Sequence, residues 1–197
     1  MKKRPFGYEI RLRDNTIPEF DRRIERRLSA LRGQYLDEAA FAQAVLNGDP
    51  LVYEVYEIHR PQKEGELLSG LSVVHPGLVG EEFYMTKGHY HEISDTAEVY
   101  YCLKGHGLLL MENEQGDTTA EEFRPGRVVY VVPGYAHRSV NLSLEEDLVT
   151  FFVYPGNAGH AYGAIEAAGF QKLVVRRNGT YELIQNRAWA RKAPGIG

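Results

Sequence analysis

Apolar positions recur along this chain with two different periods. In "PEFDRRIERRLSALRG" (18–33), Phe20, Ile24, Leu28 and Leu31 follow one another at helical spacing, which predicts an α-helix with one apolar face, ending at Gly33. A shorter helix is predicted in "DEAAFAQAVLNG" (37–48), with Asp37 as N-cap and Asn47-Gly48 as the stop. From Asp49 the pattern shortens to β-rich runs: "LVYEVYEI", "LLSGLSVV", "AEVYYCL", "GLLLMEN", "TAEEF", "RVVYVVP", "HRSVNL" and "LVTFFVYP". Turn-forming stretches such as "QKEG", "HPGLVG", "KGHG" and "RPG" separate them, so an antiparallel sandwich or barrel is expected. Beyond it, "GAIEAAGF" predicts a helical turn, and Asn178-Gly179 in "KLVVRRNGTYELIQ" predicts a type I′ hairpin. No internal repeat or low-complexity tract is present.

Composition narrows the class. At 197 residues, with 43% hydrophobic and 25% charged residues, the chain reads as one globular domain. A net charge of -4 argues against nucleic acid or an anionic membrane as the main partner. Arg22, Arg23, Arg26 and Arg27, interrupted by Glu25, are read as the solvated face of the first helix. Cys102 is the single cysteine, and "MKKRPFGYEI" carries no apolar signal-peptide core. With no run of about 20 apolar residues, a soluble, cytoplasmic protein is expected.

The candidate chemistry lies in "MTKGHYHEISDTAEVYYCLKGHG", which holds three of the seven histidines. Alternation along a strand turns His89 and His91 to one face and Tyr90 to the other. Glu98, Tyr100 and Cys102 share a face of the next strand, and His137 follows the turn "VPGYA". Brought together inside a barrel, three neutral imidazoles and a carboxylate suit a first-row divalent ion with open positions for water or substrate. His59 and His75 are read as ordinary surface or hydrogen-bonded histidines, His106 as a loop residue, and Cys102 as inert packing.

These residues resemble the cupin superfamily, whose first motif is G-x5-H-x-H-x(3,4)-E-x6-G and whose second is G-x5-P-x-G-x2-H-x3-N. Here the first appears as His89-x-His91 and Glu98-x6-Gly105, with six residues between His91 and Glu98 and Phe83 in place of the opening glycine. The second appears as Gly126-x6-Pro133-Gly134-x2-His137-x3-Asn141. The resemblance implies an all-β cupin double-stranded β-helix, a jelly-roll-like barrel, in which His89, His91, Glu98 and His137 hold the metal. "DPLVYEVYEI", "TKGHYH", "AEVYY", "PGYAHRSVN" and "YPGNAGHAYGAIEAAGF" are similar to the cupin-type phosphoglucose isomerases, which share the long spacing before the glutamate. The expected layout is a single cupin domain: a helical N-terminal extension (1–48), a barrel core (49–155) and a C-terminal extension with a short helix and hairpin (156–197).

The resemblance implies interconversion of glucose 6-phosphate and fructose 6-phosphate, a step of glycolysis and gluconeogenesis. That chemistry needs a phosphate site, polarised C1 and C2 oxygens, and hydrogen transfer between those carbons. Thr86, Lys87 and Gly88 offer a hydroxyl, an ammonium and a backbone N–H suited to an anionic oxygen cluster. Glu98 is expected as general base, although a coordinated carboxylate loses basicity; a hydride shift between the carbons is the alternative. By resemblance, Tyr53, Ser72, Tyr100, Tyr154 and Tyr162 contact the substrate, and His160 assists ring opening as acid or base. Family members carry Thr where Ser72 stands. The metal is one ion per subunit, iron expected first, with Mn, Ni, Co or Zn admitted by the ligand types. A homodimer is expected, with apolar faces of "LVYEVYEI" supplying contacts. The ligand set alone leaves two further readings open, a metal-dependent cupin oxygenase and a non-catalytic sugar-binding module.

Overall fold

The computed structural model describes residues 4–189, and short strands dominate it. In chain order these are β1 (Arg22–Arg27), a 3₁₀ turn (Leu28–Leu31), α1 (Glu38–Leu46), β2 (Leu51–Ile58), β3 (Leu67–Val74), β4 (Leu78–Val79) and β5 (Glu82–Phe83). They continue as β6 (Glu98–Lys104), β7 (Gly107–Glu112), β8 (Thr118–Phe123), β9 (Val128–Val131), β10 (Ala136–Asn141) and β11 (Leu148–Pro155). The chain then runs through α2 (Gly163–Ala168), β12 (Lys172–Arg177) and β13 (Thr180–Gln185). The outer ends of both expected extensions, 1–3 and 190–197, lie outside the described residues.

A six-stranded antiparallel sheet, ordered β1-β2-β3-β11-β6-β9, faces a three-stranded sheet, β10-β7-β8; a third sheet, β13-β12-β5-β4, flanks them. Leu109, Met111, Phe123, Val129 and Val131 lie on the faces that the first two sheets turn toward each other, while Leu108, Leu110 and Val140 are buried on the opposite face of the small sheet; this apolar burial holds the barrel closed. The outer face of β2-β3-β11 is also covered: Ile17, Tyr56, Ile58, Leu71, Val73 and Val149 form a second cluster beneath Tyr8 and Ile10 of the N-terminal segment. Asn141, fully buried at the end of β10, donates to the carbonyls of Val74 (2.8 Å) and Glu146 (2.9 Å) and accepts from Ser143 N (2.9 Å). The asparagine that ends the second motif is thus a tie between loops rather than a ligand.

Four expectations are corrected. The helix over 18–33 is absent: β1 pairs with β2 from Arg22↔Glu57 onward, and the apolar residues that suggested one face belong to different elements. The N-terminal extension is therefore strand, 3₁₀ turn and α1, the last capped by Asp37, whose side chain accepts from Ala40 N (2.9 Å). The "HPGLVG" stretch is not a plain turn, since it contains β4. Finally, no apolar side chain of β2 is fully exposed: the N-terminal segment helps cover Tyr56 and Ile58 on one face, while Tyr53 and Val55 on the other line a cavity. Asn178 and Gly179 both have positive φ (51° and 79°) between the paired Arg177 and Thr180, as the hairpin requires. No helix among the described residues is long and apolar enough to cross a membrane.

Candidate metal centre and active site

Three stretches of backbone converge on one point. Glu98 opens β6 on the face that also buries Tyr100 and Cys102, and His137 is the second residue of β10. His89 and His91 lie not on a regular strand but on a segment held by isolated bridges, His89↔His137 on one side and Tyr90↔Ala161 on the other. The bridging preserves the alternation. Both imidazoles turn inward, while Tyr90 points away toward α2.

One candidate ligand atom from each of His89, His91, Glu98 and His137 lies within 4.8 Å of the others. His91 Nε2 is 3.1 Å and His137 Nε2 2.9 Å from the same Glu98 oxygen, Oε2. Of the four ligands, His89 is nevertheless left with Nε2 buried and without a hydrogen bond, a costly state for a polar atom. A cation at their common centre supplies the missing partner, and the set of nitrogen and oxygen donors fits a first-row divalent ion. The remaining ring nitrogens are already held. His91 Nδ1 lies 2.8 Å from Thr96 Oγ1, and His137 Nδ1 lies 3.3 Å from the Tyr135 carbonyl, which leaves Nε2 of each for the metal. Burial, reinforced by His137 and His160, pushes His89 well below the ordinary histidine range. Burial alone would raise Glu98, but the charge and hydrogen bonding of His137 and the hydrogen bond of His91 overcome it and hold the carboxylate well below its usual range. Neutral imidazoles and an ionised carboxylate are the forms that bind metal.

His89, Glu98 and His137 of the cluster form the floor of a cavity of about 300 Å³. Tyr53, Ser72, Tyr100 and Tyr154 line it from β2, β3, β6 and β11, and Thr86, Lys87 and Gly88 form a rim. Thr86 is pinned to β10 by its amide, which donates to the Ser139 carbonyl (2.9 Å), and by its hydroxyl, which accepts from Ser139 N (3.0 Å). Gly88 has φ +79°, and a Cβ there would lie 2.6 Å from the Phe170 ring and 3.0 Å from the His137 carbonyl, so only glycine fits. Lys87 Nζ pairs with Glu166 of α2 and lies 5.1 Å from the Tyr162 ring centroid. The His160 ring sits 4.3 Å from that of His89 and stacks on Tyr162 at 6.0 Å. Burial lowers its pKa, so it is neutral near pH 7.

All the candidate substrate residues named from sequence therefore border one cavity. Sequence reasoning missed Arg22, Ile24 and Arg26, which enter it from β1, and Glu57 and Ser139, which enter from β2 and β10. Outside the site, His75 bonds Asp147 (2.8 Å), His106 bonds Glu122 (2.9 Å) and the exposed His59 lies 3.4 Å from Glu57. Cys102 is fully buried, and burial pushes its thiol up to about 11, an inert state.

Sheets closed around three inward imidazoles and a carboxylate, beside a polar cavity, define a protein of the cupin class with a site suited to a metal ion. The sequence profile of the glucose-6-phosphate isomerase (GPI) family matches residues 25–191. A glucose-6-phosphate isomerase of Thermococcus gammatolerans is 45% identical over 188 residues, 95% of this chain and 98% of its own; that of Pyrococcus furiosus is 42% identical over 189 residues, 96% and 99%. The chain belongs to the glucose-6-phosphate isomerase family, in its cupin form. Among solved structures, an oxalate oxidase overlays with a TM-score of 0.49 at 14% identity, covering 62% of this chain and 60% of its own.

Proposed function

We propose that the chain interconverts glucose 6-phosphate and fructose 6-phosphate in the cytoplasm, with one divalent ion, iron first among Fe, Mn, Ni, Co and Zn, held by His89, His91, Glu98 and His137. The observation that carries this reading is that the ligand cluster, the Thr86–Gly88 rim and His160 border a single cavity. Family membership favours isomerisation over the oxygenase and binding-module readings. When bound, the metal supplies Lewis acidity to the sugar's C1 and C2 oxygens. Thr86, Lys87 and Gly88 take the phosphate, for which Lys87 exchanges its Glu166 partner. Tyr53, Ser72, Tyr100, Tyr154 and Tyr162 contact the sugar. His160, neutral and beside the cluster, moves the proton that opens the ring. Glu98 carries the proton between C2 and C1. Both histidine nitrogens approach its Oε2, and the Tyr100 hydroxyl also hydrogen-bonds the carboxylate.

A homodimer is part of the same reading. Tyr101, Val128, Tyr130 and Val132 form an exposed apolar row around β6 and β9 that supports pairing there rather than through β2.

The test is conversion of fructose 6-phosphate in D₂O by wild type and by Glu98→Gln. Deuterium in the product, and a drop of about 10²-fold or more in the metal-loaded variant, are expected for general base catalysis. Turnover with no solvent hydrogen incorporated would remove the base role from Glu98 and leave the hydride shift.

A further inference from the structure

Arg138 follows the ligand His137 on β10, yet its side chain leaves the cavity and is 2% exposed. A buried guanidinium is costly unless it is hydrogen-bonded, and both Nη atoms of Arg138 have partners while its Nε has none among the described residues. Here Nη2 donates to the Lys87 carbonyl (2.6 Å) and to Gln34 Oε1 (2.9 Å), Nη1 approaches Met85 Sδ (3.0 Å), and the group lies 4.0 Å above the Phe170 ring centroid. Gln34 is fixed in turn by its amide, which donates to the Ile165 carbonyl (3.1 Å). Glu112 and Glu82 are buried near it.

The consequence lies one bond further on. In a planar trans peptide the N–H points opposite to the carbonyl. Arg138 draws the Lys87 carbonyl outward, so the N–H of Gly88 is turned toward the cavity that Gly88 lines, where it donates to no acceptor among the described residues. We propose that Arg138 is a positioning residue for anion binding: by holding the Lys87 carbonyl it sets the peptide plane that aims the Gly88 amide at the substrate phosphate. This rests on the reading of Thr86–Gly88 as the phosphate site. It assigns Arg138 no contact with substrate. No apolar residue of similar size can replace it, because the plane is fixed by a donor reaching across from β10.

The test compares wild type, Arg138→Lys and Arg138→Met by steady-state kinetics with fructose 6-phosphate, metal content, and calorimetric titration with inorganic phosphate. The KM and the phosphate Kd are expected to rise together, by tenfold or more in R138M and less in R138K, with metal content unchanged and kcat within threefold. A folded, metal-loaded R138M with both constants within twofold of wild type overturns the proposal. Should neither variant fold, Gln34→Leu decides: a rise of threefold or more in both constants supports the proposal, and no change overturns it. A wild type that binds phosphate without turning over fructose 6-phosphate would end the isomerase reading, and the calorimetric comparison alone would then judge Arg138. A wild type that binds no phosphate overturns the proposal directly.

Discussion

Glu82 and Glu112 are buried beside Arg138, and burial raises each to about 7. Their hydrogen bonds, from Leu36 N (2.6 Å) and Gln171 N (2.7 Å), only partly offset that. A carboxyl whose folded pKa lies above its unfolded value holds its proton longer in the folded state. Stability from these groups is therefore present near pH 4.5 and is lost as pH rises toward about 7 and beyond. Glu112→Gln keeps an acceptor for Gln171 and cannot titrate. Thermal midpoints measured from pH 5 to 8 should show wild type losing ground to this variant as pH rises; parallel curves would refute the assignment. At this scale the metal ligands were legible in sequence, since alternation places His89 and His91 together whether the segment is a strand or a pair of bridges. Arg138 was not, because a buried cation between two apolar runs looks like any charged residue until its partners Gln34 and Lys87 arrive from elsewhere in the fold.

The hairpin of β12 and β13 and the edge strand β1 show opposite fates for local signals. Asn178-Gly179 carries its conformation in the residue types themselves. Nothing lies within 4 Å of a Cβ built on Gly179, so Gly179→Ala meets only its positive φ and should cost about 1–2 kcal/mol in urea denaturation. A loss near zero would show that the turn does not need left-handed backbone. For β1 the apolar alternation that marks a half-buried strand is missing for a physical reason. In "RRIERR", Arg22, Ile24 and Arg26 face a polar cavity rather than a core, while Arg23 pairs with Glu54 on the other side. Both faces are largely polar, so period two is hidden. The helical spacing arose by chance from Phe20, 42% exposed before the strand, Ile24 within it, and Leu28 and Leu31, buried on the 3₁₀ turn. The same cause concealed Arg22 and Arg26 as cavity residues.

The cavity walls come from strands that neighbour one another out of chain order, β2-β3-β11-β6, so Tyr53, Ser72, Tyr154 and Tyr100 meet only when the sheet assembles. Their spacing in sequence carries no trace of that meeting, and family resemblance alone had singled them out. With its outer face covered by the N-terminal segment and its inner face packed on β7 and β10, the large sheet is a stiff frame for the ligands on β6 and β10. The most direct test of the central claim is the metal content of the purified chain, set against its rate of fructose 6-phosphate conversion before chelation, after it, and on return of single divalent ions. One ion per chain, activity lost with that ion and regained with it, is the predicted result. Full conversion by a chain stripped of metal would contradict the account.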